Sequence, residues 1–242
     1  MRWIGLVCLL VLVAVIVKFG KPEPLYYRQH PIELIVVDEE TGEPIEGAVV
    51  VARWNVTGGS FNTYTLGALD IQEAVSDKNG NVLLPGFEKY ERPWFSGEFF
   101  EFDEPTLIVY KYRYAAKRYY NRQSPARLLK RDHGAEMKWW GDPVLSLAKL
   151  PDDPEARFEK FRDTLLNPVK DVIPSLTEGC MWTKVKRMIL EYDKQMREGE
   201  ELGMYHWMYG AWYMPPPNVD GVTACPGGVR WIQSERDLER TK

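Results

Sequence analysis

Several common catalytic signatures are missing from this chain. The 242-residue sequence has no glycine-rich loop of the kind that cradles phosphates and no strand–turn–helix motif with a nucleophilic serine. Internal repeats are absent as well. Its net charge of −4 gives no global reason to expect nucleic acid as a partner. With 45% hydrophobic and 27% charged residues, the composition is instead that of a globular protein with a substantial core.

Two short motifs imitate metal sites without supplying the rest of one. His30 and Glu33 have the His-x-x-Glu spacing of zinc ligands, and His133 could supply a third ligand. A catalytic metal also needs a shaped cavity and second-shell support, so we interpret His30 as a linker histidine and Glu33 as a solvent-facing strand residue. Residues 77–81 with Glu88 copy the acidic spacing of a calcium loop, but their glycine is at the fourth rather than the sixth position. A hairpin turn explains them better, and we expect no metal and no cofactor.

The N-terminus carries an apolar run. Residues 4–17 contain no charged side chain, and Lys18 closes the run. At about 1.5 Å per residue the run spans roughly 21 Å, which is short for a hydrocarbon core of about 30 Å and favours an export signal. Cleavage is nevertheless disfavoured, because Lys18 occupies a position where a small residue is required. We expect residues 1–20 to be an uncleaved anchor that contacts the membrane through residues 3–19, with a cleaved signal peptide as the alternative.

An anchor of this kind fixes the expected location of the rest of the protein. Everything after Lys21 would lie outside the cytoplasmic membrane. Arg2 and the amino terminus favour that orientation by the positive-inside tendency, whereas Lys18 and Lys21 on the exported side oppose it. We therefore expect a single-pass protein of the cell membrane whose folded part is periplasmic. Residues 21–30 would be a linker.

Turn-forming residues divide the middle of the chain into short extended segments. Residues 32–37 and 48–52 are apolar runs, and the proline and glycines between them exclude a helix. A second reversal is expected at residues 77–81. Further extended segments are expected at residues 71–75, 82–84, 106–114 and 144–150. Short strands separated by turns, without helical periodicity, predict a mainly β protein built as an antiparallel sandwich.

These turns also carry a family resemblance. The motif V-V-D-E-E-T-G-E-P-I-E-G-A-V-V-V, followed by S-D-K-N-G-N-V-L-L-P and later by L-I-V-Y-K-Y, resembles the carboxypeptidase regulatory-like domain, a transthyretin-like (prealbumin-like) β-sandwich. The resemblance covers residues 31–150, in which residues 115–142 are interpreted as an insertion, and residues 111–114 replace the family's usual glycine-tyrosine. The family is non-catalytic and includes free-standing exported modules. The resemblance therefore implies a binding or structural role and names no ligand.

The C-terminal part, residues 151–242, changes to helical periodicity. Asp153 followed by Pro154 is typical of a helix start. A second helix is indicated by an apolar stripe that Gly203 is placed to end, formed by Trp182, Val185, Ile189, Tyr192 and Met196. We expect a helical hairpin that packs on the sandwich or on itself, followed by an aromatic and proline-rich tail.

A basic and aromatic segment is the strongest candidate binding site. Eight cations are interleaved with five tyrosines between Tyr110 and Arg131, and no acid intervenes before Asp132. In residues 110–114 the two kinds of side chain alternate, which in a strand would place tyrosines on one face and cations on the other. Such a segment suits anionic lipid headgroups or envelope glycans, while nucleic acid is not expected outside the membrane. In the alternative interpretation the tyrosines fill the core and the cations form a solvated face balanced by the acidic residues 98–104. The candidate residues are Lys111, Arg113, Lys117, Arg118, Tyr119, Tyr120, Arg122, Arg127, Lys130 and Arg131.

The cysteines suggest one structural bridge. Cys8 belongs to the apolar run, which leaves Cys180 and Cys225 as an even pair in the exported part. We predict a disulfide between them, with two buried thiols as the alternative. Cys180 paired with a histidine as a catalytic nucleophile has no local support.

Two classes of function remain open from the sequence. The leading hypothesis is a non-catalytic, membrane-anchored, exported module for binding or assembly, whose protein partner the sequence does not name. The alternative is an envelope hydrolase whose site is assembled from scattered residues such as Asp132, His133 and His206.

Overall fold

The computed structural model describes residues 25–58, 64–91, 98–100, 105–121, 134–165 and 184–203. The predicted anchor, residues 1–20, lies outside these residues. Within the described ranges, no helix combines the length and the apolar character that crossing a membrane requires.

The described chain is mainly β, as predicted, with two helices near its C-terminal end. The strands are β1 Leu25–Gln29, β2 Ile32–Asp38, β3 Val49–Gly58, β4 Tyr64–Val75, β5 Asn81–Leu84, β6 Phe87–Glu91, β7 Glu98–Phe100, β8 Thr106–Tyr110, β9 Lys117–Tyr119, β10 Gly134–Met137 and β11 Val144–Leu147. The helices are α1 Pro154–Leu165 and α2 Lys186–Glu201.

Two three-stranded sheets form one bent ribbon. Their strand orders are β10-β1-β6 and β11-β2-β5, and each strand of one sheet continues along the chain into its counterpart in the other. The bend lies where Pro31 interrupts one strand and Pro85 and Gly86 interrupt the next. At Gly86 an added Cβ would lie 2.4 Å from the Gln29 carbonyl oxygen, so this position requires glycine for close backbone approach.

A separate five-stranded sheet has the order β4-β3-β8-β9, with β7 also paired to β3, and is called here the second sheet because the ribbon is counted as the first. Alternate side chains of β3 point to opposite faces, and both faces are covered. One face, with Val50 and Trp54, packs against the ribbon, including Leu34 and Leu145. The other face packs against the helices, in a second core that contains Val49, Val51, Ile108, Phe158, Phe161 and Met188. Burial on both faces explains why the first part of β3, residues 49–52, is an uninterrupted apolar run.

The two predicted turns are confirmed. Gly42 and Gly47 have positive φ values of 73° and 71°, a conformation that favours glycine, and most of the intervening side chains are exposed. Asp38 fixes the start of this turn, since its Oδ1 accepts the Thr41 N–H at 3.0 Å. That backbone hydrogen bond holds the pKa of Asp38 below its ordinary value despite partial desolvation. At the second turn Gly80 also has a positive φ, 76°.

Both predicted helices are present. The Asp153 carboxylate caps α1 by accepting the Ala156 N–H at 2.8 Å, as its position before Pro154 indicated. Gly203, with a φ of 71°, follows the end of α2. The helices pack on each other, with the Phe161 and Tyr192 rings 5.7 Å apart, and on the second sheet.

Several details of the predicted architecture were wrong. The pairs β1–β10 and β2–β11 are parallel, so the sheets are mixed rather than purely antiparallel. The expected linker is shorter than residues 21–30, because Leu25–Gln29 forms β1. Residues 115–142, interpreted as an insertion, contribute β9 to the second sheet and β10 to the ribbon. Strand direction depends on which distant segments pair, and local turn chemistry does not encode it.

Candidate functional site

The predicted alternation of tyrosines and cations stops at Tyr110. The extended segment expected to reach residue 114 instead turns, since the Tyr114 N–H donates to the Lys111 carbonyl oxygen at 3.0 Å. Arg113, the third residue of this turn, has a φ of 68°. A positive φ at a non-glycine residue is uncommon, which is why the sequence pattern favoured a continuous strand. Tyr110 itself is fully buried in the core beneath the helices.

Helix α2 holds this turn in place. The Glu191 carboxylate accepts the Tyr112 N–H at 3.2 Å, and the buried Gln195 side-chain oxygen accepts the Arg113 N–H at 3.4 Å. These contacts satisfy backbone donors that the end of β8 leaves without strand partners. The Arg113 guanidinium remains exposed and lies 5.3 Å from the centre of the Tyr112 ring. The turn is thus a structural link that also presents one cation.

Strand β9 divides the predicted binding residues between two faces. Lys117 donates to Glu39 and to the Ser146 hydroxyl, both at 3.0 Å. Partial burial is the largest single effect and lowers the pKa of Lys117, but the hydrogen bonds and charges of Glu39 and Tyr119 together outweigh it, and the net pKa is raised. Tyr119, on the same face, donates its hydroxyl to the Ser146 carbonyl oxygen at 2.6 Å.

Arg118 alternates with these two residues and therefore lies on the opposite face of β9. Its guanidinium donates to the Tyr120 hydroxyl at 3.1 Å and lies 5.8 Å from that ring's centre. Lys117 and Arg118 therefore lie on opposite faces of β9 and do not share one flat surface. The exposed Tyr120 and the half-buried Arg118 form a cation–aromatic pair at the edge of the second sheet.

The remaining predicted site residues lie outside the described residues. They are the basic residues Arg122, Arg127, Lys130 and Arg131, the hydrolase candidates Asp132, His133 and His206, and the cysteines Cys180 and Cys225.

A buried ion pair joins the two helices. The Arg157 guanidinium donates to both carboxylate oxygens of Glu198, with a distance of 3.0 Å from Nε to Oε2, and also to the backbone carbonyls of Pro151 and Asp152. The hydrogen bond between them raises the pKa of Arg157 and lowers that of Glu198. Gln195 completes the cluster by donating to Glu198 at 2.5 Å. Each charged group in it has a structural partner, which suits a fixed link better than catalysis.

A second buried carboxylate joins the sheets to residue 184. Asp70 on β4 receives hydrogen bonds from Lys184 at 2.6 Å, Lys89 at 3.1 Å and Gln72 at 3.0 Å. Desolvation raises the pKa of Asp70, but these donors outweigh it and hold the pKa below its ordinary value. At neutral pH Asp70 is therefore ionised and its oxygens accept hydrogen bonds from three side chains, which argues against a role as a general acid or base.

Glu73, three residues further along β4, meets the start of α2. Its two carboxylate oxygens lie 2.7 and 2.9 Å from the Arg187 backbone nitrogen. The residue before the helix, Val185, provides no side-chain cap. Glu73, which belongs to strand β4, accepts the backbone hydrogen bond that such a cap would accept. Desolvation raises the pKa of Glu73 to about 7, against the opposing hydrogen bonds from the helix.

The described residues of the two motifs that imitate metal sites have contacts within the β structure. His30 Nε2 contacts Glu136 across the β1–β10 pair, and Glu33 is exposed on β2. Asp77 Oδ1 accepts the N–H groups of Asn79 and Asn81, both at 2.8 Å, so its carboxylate stabilises a hairpin turn. In the part of the chain that the structure describes, no three histidine, cysteine, aspartate or glutamate side chains form a group that could hold a metal.

The outer face of the ribbon carries an exposed apolar strip that the sequence analysis missed. The strip consists of Ile35, Leu83 and Val144, whose exposed fractions are 40%, 58% and 43%. Val144 pairs directly with Ile35, and Leu83 is the diagonal neighbour of Ile35 because it pairs with Glu33. A signal was available in the sequence. Because Glu33 was predicted to face solvent, strand alternation places Ile35 on the same outward face.

Comparisons with known proteins add no family. No family model matches the chain, and no curated protein matches it. Among solved structures, a 9R-lipoxygenase from Cyanothece PCC8801 is similar over 61% of this chain and 23% of its own, with 16% sequence identity and a TM-score of 0.16. A similarity at that TM-score carries no inference about fold or activity.

Proposed function

We propose that this protein is a non-catalytic, membrane-anchored module on the periplasmic side of the cell envelope that binds or organises another envelope component. We further propose that its fold is a transthyretin-like sandwich with a C-terminal helical extension. The proposed fold is supported by the core between the ribbon and the second sheet. It is also supported by the residues that carry the family resemblance, since they form β2, the turn at Gly42 and β3.

The parallel pairing of β1 with β10 is the observation that carries this proposal. Tyr26 pairs with Gly134, so the first residues of β10 lie beside the first residues of β1. Strand β1 begins at Leu25, and residues 21–24 can span no more than about 14 Å from the end of the proposed anchor at residue 20. Arg131 is three residues before Gly134. If residues 1–20 are in the membrane, the end of the basic segment is therefore near the lipid headgroups.

Basic residues at that position give the module a second contact with the membrane. Anionic headgroups attract lysine and arginine side chains near the surface by roughly 1 kcal/mol each. The contact would orient the folded part with the start of β1 towards the lipid and with the turns at Gly42 and Gly80 away from it. Glycans with negative charge could provide the same attraction.

Extraction of the full chain tests the anchor. We expect it to remain with membranes after an alkaline carbonate wash, and externally added protease should reach the folded part only after the outer envelope is permeabilised. Release by carbonate would contradict the anchor. Protease access solely from the cytoplasmic side would contradict the orientation.

Vesicle sedimentation tests the basic contact. Protein lacking residues 1–20 should pellet with phosphatidylglycerol vesicles at low salt, less so in high salt, and not with phosphatidylcholine vesicles. Lys130→Glu with Arg131→Glu should weaken pelleting, whereas the matched pair Lys78→Glu with Lys149→Glu, at the far end of the ribbon, should not. If both variant pairs lost pelleting equally, the effect would be one of overall charge rather than of the basic segment.

The alternative function has its own test. Hydrolysis of an envelope substrate that depends on His133 and His206 would favour an envelope hydrolase.

A further inference from the structure

We infer that the apolar strip on the ribbon is a docking surface for a protein segment that carries apolar side chains beside a lysine or arginine. The strip crosses all three strands of the β11-β2-β5 sheet, so Val144, Ile35 and Leu83 form one contiguous surface. Isolated exposed apolar residues are ordinary, but a contiguous group marks an interaction site. This inference deepens the proposed binding role and names the chemistry of the partner.

Acidic side chains border the strip. Glu33 pairs directly with Leu83, and its carboxylate is exposed. Asp142 is two residues before Val144, and continuing the β2–β11 register places it beside Glu33. The Asp142 carboxylate also accepts the Val144 N–H at 2.8 Å, which fixes its position at the edge of the strip. Neither acid forms an ion pair with any residue that the structure describes.

The carboxylates of Glu33 and Asp142 indicate which kind of segment binds the strip. A segment with a cation next to its apolar residues would bury the strip and pair with Glu33 and Asp142 at the rim, where complementary charge favours encounter and fixes register. A second copy of the same face would place these acids against each other, which is unfavourable. The membrane is an unsuitable occupant too, because the strip lies in the half of the ribbon remote from the start of β1.

Peptide binding to the full chain in detergent tests the inference without lipid, so its result is separate from the extraction and vesicle tests. The probe is a labelled peptide of alternating leucine and lysine, followed by fluorescence anisotropy, and a leucine–glutamate peptide is the comparison. Leu83→Ser and Ile35→Ser should each weaken binding of the lysine peptide at least tenfold. The matched control is Val75→Ser, which changes a valine of 44% exposure on β4 and should alter binding less than twofold.

Charge reversal tests the role of the acidic border. Glu33→Lys should shift preference from the lysine peptide to the glutamate peptide, whereas Glu43→Lys, an equal charge change in the exposed turn, should not. Equal weakening by Val75→Ser, or unchanged preference in Glu33→Lys, would overturn the inference. It would also be overturned if sedimentation showed a dimer that Leu83→Ser dissociates, or if Leu83→Ser abolished binding to uncharged vesicles. Unchanged thermal melting in each variant establishes that the fold is retained.

Discussion

Arg157 of α1 and Glu198 of α2 form a bidentate ion pair from which water is almost excluded, with side-chain exposures of 4% and 15%. Arg157 also donates to two backbone carbonyls of the segment that leads into α1. The pair therefore fixes the helices to each other and to the connection from β11. Arg157 and Glu198 neutralise each other, so the loss of one side chain leaves the other charged and buried without a counter-ion.

Removal of the carboxylate should therefore destabilise the protein strongly. Glu198→Ala is expected to cost about 3–5 kcal/mol of unfolding free energy, because an uncompensated guanidinium remains in the interior. Glu200→Ala, which removes an exposed acid from the same helix, should change stability by about 0.5 kcal/mol or less. Urea unfolding of both variants measures the difference. If Glu198→Ala lowered the unfolding free energy as little as Glu200→Ala does, water would have to reach and solvate Arg157.

A charged side chain in the core between the ribbon and the second sheet should destabilise the protein. Val50 is fully buried on β3, and Val50→Asp would place a carboxylate there without a partner. We expect the variant to unfold, because the cost of several kcal/mol is a large part of a total stability of roughly 5–15 kcal/mol. Val75→Asp, at an exposed position on β4, is the matched control and should melt close to the wild-type temperature. A folded Val50→Asp protein would contradict the assigned core.

Glu73 should make stability depend on pH. Its folded-state pKa of about 7 is above its ordinary value of 4.5, so the folded protein holds the proton more tightly than the unfolded chain. The stability from protonated Glu73 is therefore fully present below about pH 4.5 and is lost as the pH rises through about 7. Glu73→Gln should remove this loss and be more stable than wild type at pH 8.

Urea unfolding at pH 5 and pH 8 measures the effect, with the exposed Glu46→Gln as a control. A Glu73→Gln protein that is less stable than wild type at pH 8 would show that the ionised carboxylate stabilises the start of α2. In that case the hydrogen bonds to Arg187 outweigh desolvation.

The predicted disulfide between Cys180 and Cys225 stays a prediction, because both residues lie outside the described ranges. A bridge that closes a loop of about 45 residues should stabilise the protein by roughly 4 kcal/mol in the chain-entropy model. Cys180→Ser, Cys225→Ser and the double variant should lose the same amount, since each removes the same bond. Thiol labelling of both cysteines in the non-reduced protein would exclude the bridge.

The sequence predicted the features that local chemistry determines. Gly42 and Gly80 have the positive φ that their turns require, and Asp153 caps α1. It did not predict the turn at Arg113, because a positive φ at arginine is stabilised by distant partners on α2 rather than by a local signal. The buried pair of Arg157 and Glu198 was missed for the same reason. Charged residues on helices are usually exposed, and only the packing of α1 on α2 buries these two.

The parallel pairing of β1 with β10 has a consequence for the order of folding. His30 and Glu136, which meet across these strands, are 106 residues apart in the chain. Synthesis proceeds from the N-terminus, so β1 and β2 emerge first yet wait for β10 and β11 before their sheets are complete. Such long-range pairing is slow, and an incomplete sheet exposes strand edges that can associate wrongly. The nascent chain should therefore depend on a holding chaperone until residue 147 has been synthesised.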